Sequence, residues 1–214
     1  MTKDLVVVNN ADSEIANEIK LLRIKLETLQ KKDEPQIILV TSASAGDGKS
    51  FLSSNLAVAF TSNHKRVLLI DCDLRNGKQN KIFGLSNKNG LTSLILKHEK
   101  IEDINEYIKP TNISRLNVTT TGPKTDQASE IIASTKFKKL LLKLKKEFDV
   151  IILDSPSIDE IVDPLVLAKI ADQTVIVTRI GYTQIDKLLK AKEELIKVEA
   201  NIAGIVVNSC SNVK

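Results

Sequence analysis

Short apolar runs without strict alternation recur along the chain, a pattern typical of strands that are covered on both faces. Five runs are clear and one is weaker: residues 36–41, 67–70, 150–153, 174–177 and 202–207, and the weaker run 116–120. Between them, apolar residues spaced three and four apart predict helices over about residues 49–62, 129–147, 160–171 and 183–198. This alternation predicts an α/β fold with a doubly wound, mostly parallel sheet flanked by helices.

Another helix is predicted ahead of the first strand, over about residues 13–30, with Asp12 or Ser13 as its N-cap. Its apolar positions form one stripe at helical spacing, and two more residues widen that stripe toward a second face. The stripe consists of Ile15, Ile19, Leu22, Leu26 and Leu29, and the widening residues are Leu21 and Ile24. We favour one broad helix that faces the core over a helix that also docks a neighbouring subunit.

The composition is that of an ordinary globular protein, with 42% apolar and 27% charged residues among 214. The net charge of +4 does not demand a polyanion, and only 3% aromatic residues argue against base-stacking platforms, so no nucleic-acid partner is expected. No window approaches the roughly 18 uninterrupted apolar residues of a membrane-spanning helix, and the first residues lack the apolar stretch of a signal peptide. With Cys72 and Cys210 as the two thiols, we expect a cytoplasmic location.

A phosphate-binding loop follows the first predicted strand, where residues 41–50 spell Thr-Ser-Ala-Ser-Ala-Gly-Asp-Gly-Lys-Ser. Two glycines let backbone N–H groups turn inward, the lysine can reach the terminal phosphates, and the serine hydroxyl can ligate Mg²⁺. The predicted nucleotide contacts are Ala45, Gly46, Asp47, Gly48, Lys49, Ser50 and Phe51. The first glycine of the general pattern is replaced by Ala43, but the strand before the loop and the helix after it support ATP and Mg²⁺ as cofactors.

Two other strand ends carry acids. Asp71 and Asp73, two residues apart, can face the same side and approach one metal-phosphate centre. Asp154 follows the run 150–153, as the Mg²⁺-supporting acid of nucleotide hydrolases does. Acids after strands are often turn or cap residues, yet ligands of doubly wound sheets bind beyond the carboxyl ends of the strands. We therefore predict Ser50, Asp71 and Asp154 as metal ligands.

These motifs make the chain similar to the bacterial tyrosine kinases of the capsule and exopolysaccharide class, in the cytoplasmic form that is separate from its membrane activator. Residues 42–50 resemble that family's Walker A motif, residues 68–75 its A′ motif and residues 151–156 its Walker B motif. Further short segments are similar to segments of that family at residues 90–94, 121–123, 129–132, 163 and 204–208. The resemblance therefore runs from about residue 14 to residue 208. We expect one domain over residues 1–214, with a helical extension over 1–35 and a nucleotide-binding core over 36–210.

The resemblance implies an ATP-dependent protein tyrosine kinase that regulates capsular and exopolysaccharide synthesis and export. Lys49 would hold the β- and γ-phosphates, Asp71 would sit near the acceptor hydroxyl as candidate base, and Asp73 would support the metal's water shell or the acceptor. Arg75 and Asn208 would contact the nucleotide, the latter at the adenine. Because a carboxylate of pKa about 4 is a poor base for a phenol of pKa about 10, we expect positioning and charge neutralisation to dominate.

Two features depart from the family pattern. The family's Glu-x-x-Arg-x-x-Arg helix, which builds a ring-shaped oligomer, corresponds here to Asn17, Lys20 and Arg23, so an intersubunit charge pair is missing. The tyrosine-rich tail is also missing before Lys214, so either a tail was removed or lost, or the acceptor is another protein. The partners that the resemblance implies are the cytoplasmic segment of a membrane activator, which would recruit the chain to the inner face of the membrane, protein tyrosine substrates, and possible further copies of the chain.

These departures keep a second hypothesis open, namely a non-kinase P-loop ATPase that acts as a nucleotide-dependent switch on a membrane partner. A Min- or Par-type partitioning ATPase would share the fold, but those relatives carry a lysine where this chain has Ser44. The lysine-rich face of the predicted helix 129–147 is expected to be solvated, and contact with anionic lipid or an acidic partner is the alternative.

Overall fold

The computed structural model describes residues 4–30, 34–62, 64–97 and 104–208. Cys210, Lys214 and the predicted core boundary at residue 210 lie outside these ranges. The strands are β1 (Gln36–Ser42), β2 (Val67–Asp71), β3 (Lys109–Pro110), β4 (Leu116–Thr119), β5 (Val150–Ser157), β6 (Gln173–Arg179) and β7 (Ile202–Asn208). The helices are α1 (Val6–Asn9), α2 (Glu14–Leu29), α3 (Lys49–Thr61), α4 (Gln79–Ile82), α5 (Leu91–Lys97), α6 (Ala128–Ala133), α7 (Thr135–Leu144), α8 (Asp163–Ala168) and α9 (Ile185–Lys197).

The strands described here form one seven-stranded sheet in the order β3-β4-β2-β5-β1-β6-β7. Every neighbouring pair is parallel except β3 with β4. Helices cover both faces, which confirms the predicted doubly wound, mostly parallel sheet. The carboxyl ends of β1, β2 and β5 lie side by side, so the loops that follow these strands meet at one edge of the sheet.

The central strands are buried on both faces, which explains why their apolar runs do not alternate with polar residues. Along β1, Ile37 and Leu39 belong to the core that includes residues of α5 to α9. Their neighbours Ile38 and Val40 belong to the opposite core, which includes residues of α2, α3 and α4. Both cores end at the carboxyl ends of the strands, where polar residues replace apolar ones.

The N-terminal helix α2 starts as predicted, because the Ser13 hydroxyl accepts a hydrogen bond from the Ala16 N–H at 3.2 Å. The expectation of one broad core-facing helix is wrong. Ile19 and Leu26 are buried, whereas Leu21 and Ile24 are 43% and 47% exposed. Ile15 and Leu29, at the two ends of the predicted stripe, are exposed as well. Within the described ranges the helix therefore packs through the middle of one narrow stripe, and the face that carries Leu21 and Ile24 contacts solvent.

The predicted helix over residues 129–147 is in fact two helices, α6 and α7, divided at Ser134. This residue has an extended backbone, and its hydroxyl accepts a hydrogen bond from the Phe137 N–H at 3.1 Å, so it caps the second helix. The predicted core stripe is confirmed: Phe137, Leu140, Leu141, Leu144 and Phe148 are buried. The helix expected over 160–171 is shorter, since Pro164 sets its first turn. Within the described residues, no helix is long and apolar enough to cross a membrane.

Candidate active site

The loop between β1 and α3 has the backbone of a phosphate cradle. Gly46 and Gly48 have φ angles of +83° and +102°, a region that L side chains rarely adopt. Lys49 is the first residue of the helix that follows. The loop therefore aims backbone N–H groups and a helix N-terminus at one point, as an anion site requires.

Asp47 ties this loop to the neighbouring strand ends and is fully buried. Its carboxylate accepts hydrogen bonds from the Ser44 N–H at 3.1 Å and from the Thr183 hydroxyl at 2.6 Å. Its carbonyl oxygen accepts a third from the Asn208 side-chain amide at 2.9 Å. The loop after β6 and the end of β7 thus hold the conformation of the cradle.

Close packing at Gly48 leaves no room for a side chain, because a Cβ there would overlap the Asn208 amide. On the other side of the loop, the Tyr182 ring lies against Gly46, and the Arg179 guanidinium stands 5.0 Å from the centre of that ring. The residues after β6 and β7 therefore form a wall beside the cradle.

Two fully buried acids lie side by side at the carboxyl ends of the central strands β2 and β5. Asp71 and Asp154 are register partners on these adjacent parallel strands. One oxygen of each is paired: Asp71 Oδ2 accepts from the Gln79 N–H at 3.0 Å, and Asp154 Oδ2 accepts from the Gln79 amide at 2.7 Å. The other oxygen of each, Oδ1, is buried and finds no hydrogen-bond partner among the residues that the structure describes.

Burial and mutual repulsion both act on these acids. Desolvation, and then the charge of Asp154, raises the pKa of Asp71 well above its ordinary value. Desolvation also raises the pKa of Asp154, although Gln79, the nearby hydroxyls and the Lys49 charge oppose the effect. An edge that keeps two ionisable acids adjacent and incompletely paired is arranged for a cation.

Lys49 supplies the positive charge nearest to this acid pair. It is 9% exposed, and its ammonium donates a hydrogen bond to the Ser42 hydroxyl at 3.0 Å. Burial lowers the pKa of Lys49, and the charges of Asp154 and Asp73 act against that change. A compact, partly desolvated ammonium of this kind suits the terminal phosphates of a nucleotide.

The residues present match the needs of a magnesium–nucleotide complex. Mg²⁺ in such sites takes one or two carboxylates, several waters and phosphate oxygens rather than a full protein cage. The two unpartnered aspartate oxygens meet that demand beside Ser50 at the start of α3. Among the described residues there is no cluster of three or more His, Cys, Asp or Glu side chains that could hold a metal ion.

Comparison with known proteins identifies the family. The ParA family, described as a NUBPL iron-transfer P-loop NTPase, matches residues 34–213. The tyrosine-protein kinase YwqD of Bacillus subtilis is 31% identical over 97% of this chain and 86% of its own length. This chain belongs to the bacterial tyrosine kinases, a branch of the P-loop NTPases. The crystal structure of the chimerical protein CapA2B2 superposes with a TM-score of 0.90 at 30% identity, over 97% of this chain and 90% of that one.

The other matches support the same family. The tyrosine-protein kinase etk of Escherichia coli K12 is 28% identical over 95% of this chain and 28% of its own length. The cell-division ATPase MinD of Pyrococcus furiosus, at 20% identity and a TM-score of 0.69, shares the fold alone. The kinase hypothesis is thereby favoured over a partitioning ATPase, which agrees with Ser44 standing at the signature-lysine position.

Among the residues predicted for this kinase's site, the structure brings together the loop, Lys49, Ser50, Asp71, Asp154 and Asn208. Asp73 lies just beyond β2, where its carboxylate accepts a hydrogen bond from the Asn76 N–H at 2.9 Å. Arg75 instead pairs with Asp163 at 2.8 Å and donates to the Ser129 hydroxyl at 2.9 Å. The predicted contact of Arg75 with the nucleotide stays a prediction. Its bonds to Asp163 and Ser129 link the A′ motif to two other positions at which the sequence resembles the family.

Two loop residues differ in their surroundings. Ala45 is exposed at the loop surface, so its backbone is open to a ligand, whereas the half-buried Phe51 packs against the core beside α3. Phe51 itself belongs to the first turn of α3. The predicted nucleotide contacts of both residues stay predictions.

Sequence reasoning missed two residues of this site. Gln79 follows β2 by eight positions and bonds to both buried acids, yet no motif includes it. Thr183 follows β6 and bonds to the loop acid Asp47. The available signal was their position, since both are polar residues in the segments that follow the carboxyl ends of strands, Gln79 at the start of α4 and Thr183 ahead of α9.

Proposed function

We propose that this tyrosine kinase transfers the γ-phosphate of Mg²⁺-ATP to tyrosine on a partner protein and thereby regulates capsular and exopolysaccharide synthesis and export. The observation that carries the proposal is the pair of buried acids, each with a free oxygen, next to the phosphate cradle and Lys49. Such an arrangement supports a metal position and an acceptor position close together at the carboxyl ends of the strands.

The roles of the residues follow from their chemistry. The backbone of residues 45–51 would bind the phosphates, and Lys49 would neutralise the β- and γ-phosphate charge. Ser50 and Asp154 would hold Mg²⁺, with Asp71 as the third predicted ligand, and the bound ion would shield the negative charge that develops on the transferred phosphoryl group. Asn208, which already lies against Gly48, would contact the adenine end.

Asp71 would orient the acceptor hydroxyl and take its proton late in the reaction. The raised pKa of Asp71 reduces the difference from the pKa of a tyrosine phenol, which is about 10, but does not remove it. Proton transfer early in the step is therefore unfavourable. In a loose phosphoryl-transfer transition state the phenol proton leaves late, and positioning is then the main contribution of this carboxylate.

The acceptor tyrosine is proposed to lie on another polypeptide. The sequence contains two tyrosines. Tyr107 is 3% exposed in the core, and Tyr182, although 56% exposed, lies against its own phosphate cradle next to Arg179. Partners would be protein tyrosine substrates and the cytoplasmic segment of a membrane activator, which would bring the kinase to the inner face of the membrane. The exposed apolar face of α2 is available for such a partner or for a second copy of the chain.

The test follows γ-labelled phosphate from Mg²⁺-ATP onto a tyrosine-bearing peptide and onto the same peptide with phenylalanine instead. The kinase proposal expects label on the tyrosine peptide alone, identified as phosphotyrosine and lost in Lys49→Met. The cytoplasmic segment of a candidate activator, added in a parallel reaction, is expected to increase the rate. Label released only as inorganic phosphate, with or without that segment, would contradict the proposal and favour the nucleotide switch.

A further inference from the structure

Gln79 is a single residue that bonds to both members of the acid pair, to Asp71 through its backbone and to Asp154 through its side chain. Its backbone N–H donates to Asp71 Oδ2 at 3.0 Å, and its amide donates to Asp154 Oδ2 at 2.7 Å. The same amide nitrogen also lies 3.2 Å from the Ser50 carbonyl oxygen and 3.4 Å from the Ser53 hydroxyl. The whole residue is buried, with no exposed surface.

These contacts fix which end of the amide faces the acids. A nitrogen with two hydrogens suits a site with a carboxylate and a carbonyl oxygen, whereas an amide oxygen there would meet only like charge. The carbonyl oxygen Oε1 therefore points away from Asp154. It is buried and has no hydrogen-bond partner among the described residues.

Three buried oxygens at this edge thus lack a donor: Asp71 Oδ1, Asp154 Oδ1 and Gln79 Oε1. One buried acceptor without a partner is an occasional cost of folding, but three on mutually bonded residues indicate a missing donor or cation. The water molecules around Mg²⁺ are strong donors, and residues that bind such waters orient the metal as much as its direct ligands do.

We propose that Gln79 is a positioning residue of the metal site, which holds Asp71 and Asp154 in place and accepts a hydrogen bond through Oε1 from Mg²⁺-bound water. The inference rests on the proposed Mg²⁺-ATP chemistry and adds a residue that the sequence motifs omit. A merely structural glutamine would support the fold without changing how the site responds to Mg²⁺.

The chain offers a matched control in Gln173, which is also buried and also has an unpartnered Oε1. Its amide donates to the Leu26 carbonyl oxygen and to Gln36, both at 3.0 Å. Gln173 lies at the amino end of β6, which β1 separates from the acid-bearing strand β5, and none of its hydrogen bonds reaches an acid. Gln79→Met and Gln173→Met remove the same chemical group from equally buried positions. A difference between the two variants in their response to Mg²⁺ therefore reports on the metal site and not on folding.

The experiment measures the affinity of a fluorescent ATP analogue for the full chain, once in saturating Mg²⁺ and once in EDTA. The ratio of the two affinities is the Mg²⁺ enhancement. We expect Gln79→Met to lower this enhancement about tenfold while leaving the affinity in EDTA within about twofold, because loss of a residue beside the metal's ligands typically weakens metal binding by one to two decades. Gln173→Met should keep the wild-type enhancement.

An enhancement in Gln79→Met within about twofold of wild type, or an equal loss in Gln173→Met, would overturn the inference. Gln79→Glu covers the case in which the methionine variant does not fold, because it keeps an oxygen but loses the amide donor. In nucleotide-free solution, Mg²⁺ should then raise the melting temperature of Gln79→Glu more than that of the wild type, and an equal rise would also count against the inference.

The two proposals can fail separately. A wild-type chain that shows the Mg²⁺ enhancement, and loses it in Gln79→Met, yet transfers no label to tyrosine, leaves Gln79 as a metal-positioning residue and rejects the kinase. Label on tyrosine with an unchanged Mg²⁺ enhancement in Gln79→Met retains the kinase and rejects this role for Gln79.

Discussion

Replacing Asp71 with asparagine should stabilise the metal-free protein while abolishing phosphotransfer. Asp71 and Asp154 are register partners on adjacent parallel strands and are fully buried. The asparagine can still accept the Gln79 N–H through its oxygen. The substitution therefore removes one buried charge without removing the hydrogen bond that holds the side chain.

The magnitude follows from Coulomb's law. Adjacent strands lie about 5 Å apart, and two unit charges at that distance repel by about 3 kcal/mol at an effective dielectric constant of about 20. A proton held by one acid relieves part of this repulsion in the wild type, so we expect a gain of about 2 kcal/mol in the free energy of unfolding. For a chain of this length that corresponds to a rise of about 4–8 °C in the melting temperature.

The pH dependence has a definite sign. Because the pKa of Asp71 is raised in the folded state, its stabilising contribution is complete below the ordinary aspartate pKa of about 4 and is lost as pH rises through the raised value. The advantage of Asp71→Asn should therefore be small near pH 4 and should grow toward pH 8. Adding Mg²⁺ should raise the melting temperature of the wild type more than that of the variant.

The assay is thermal unfolding in EDTA at several pH values, followed by circular dichroism. Asp73→Asn is the matched control, since Asp73 is partly exposed and takes a backbone hydrogen bond from Asn76, and its melting temperature should change little. A variant Asp71→Asn that is less stable than the wild type at pH 8 would refute the reasoning. So would a gain that does not depend on pH.

Three further substitutions test the cradle and its supports. Lys49→Met should lower the rate of phosphate transfer by about a hundredfold or more in the label assay, because it removes the phosphate-facing charge. Gly48→Ala should weaken binding of a fluorescent ATP analogue at least about tenfold, since φ is +102° and a Cβ would overlap the Asn208 amide. Gly84→Ala is the control: it carries a similar backbone strain at φ +66° but has open space around it, so it should bind the analogue normally. Thr183→Val should weaken nucleotide binding several-fold by releasing Asp47, with stability in urea reduced by about 1 kcal/mol; unchanged binding would show that the loop keeps its shape unaided.

The sequence was sufficient for those parts of the fold in which each local signal agrees with the global arrangement. The six predicted apolar runs correspond to strands, apart from Thr120, which follows β4. The runs in β1, β2, β5 and β6 are apolar because these strands are covered on both faces. The expectation of two covered faces is wrong for β7, which lies at the edge of the sheet and leaves Ile205 and Val207 exposed. Within α2, by contrast, the same apolar residues would suit a covered or an open face. Whether that face is covered depends on the element or chain that packs against it, and the sequence of α2 does not specify that partner.

The candidate site was predictable where chemistry and spacing coincide, as at Lys49 and Asp154. It was not predictable where a residue acts through a loop whose course is set by tertiary packing. Gln79 reaches the acids because residues 76–78 turn back over β2, where Gly77 lies close to the Asp71 carboxylate. The ion pair of Arg75 with Asp163 likewise joins residues 88 positions apart. The division into an extension over 1–35 and a core over 36–210 stays a prediction.

The local costs in this molecule are concentrated where the chemistry is proposed. Two register-paired acids, a buried lysine and three unpartnered oxygens all disfavour the empty folded state, and the apolar cores on both sides of the sheet have to offset them. Substitutions that relieve these costs should stabilise the protein and reduce its activity, which is the usual relation at a site that is built for a charged ligand. Binding of Mg²⁺-ATP would neutralise the repelling acids and give the unpartnered oxygens a partner in one step. The free energy that these groups cost in the empty site would then contribute to the affinity for the nucleotide complex. A site of this kind discriminates against metal-free nucleotide, because phosphates without a cation would add negative charge to an edge that already repels it.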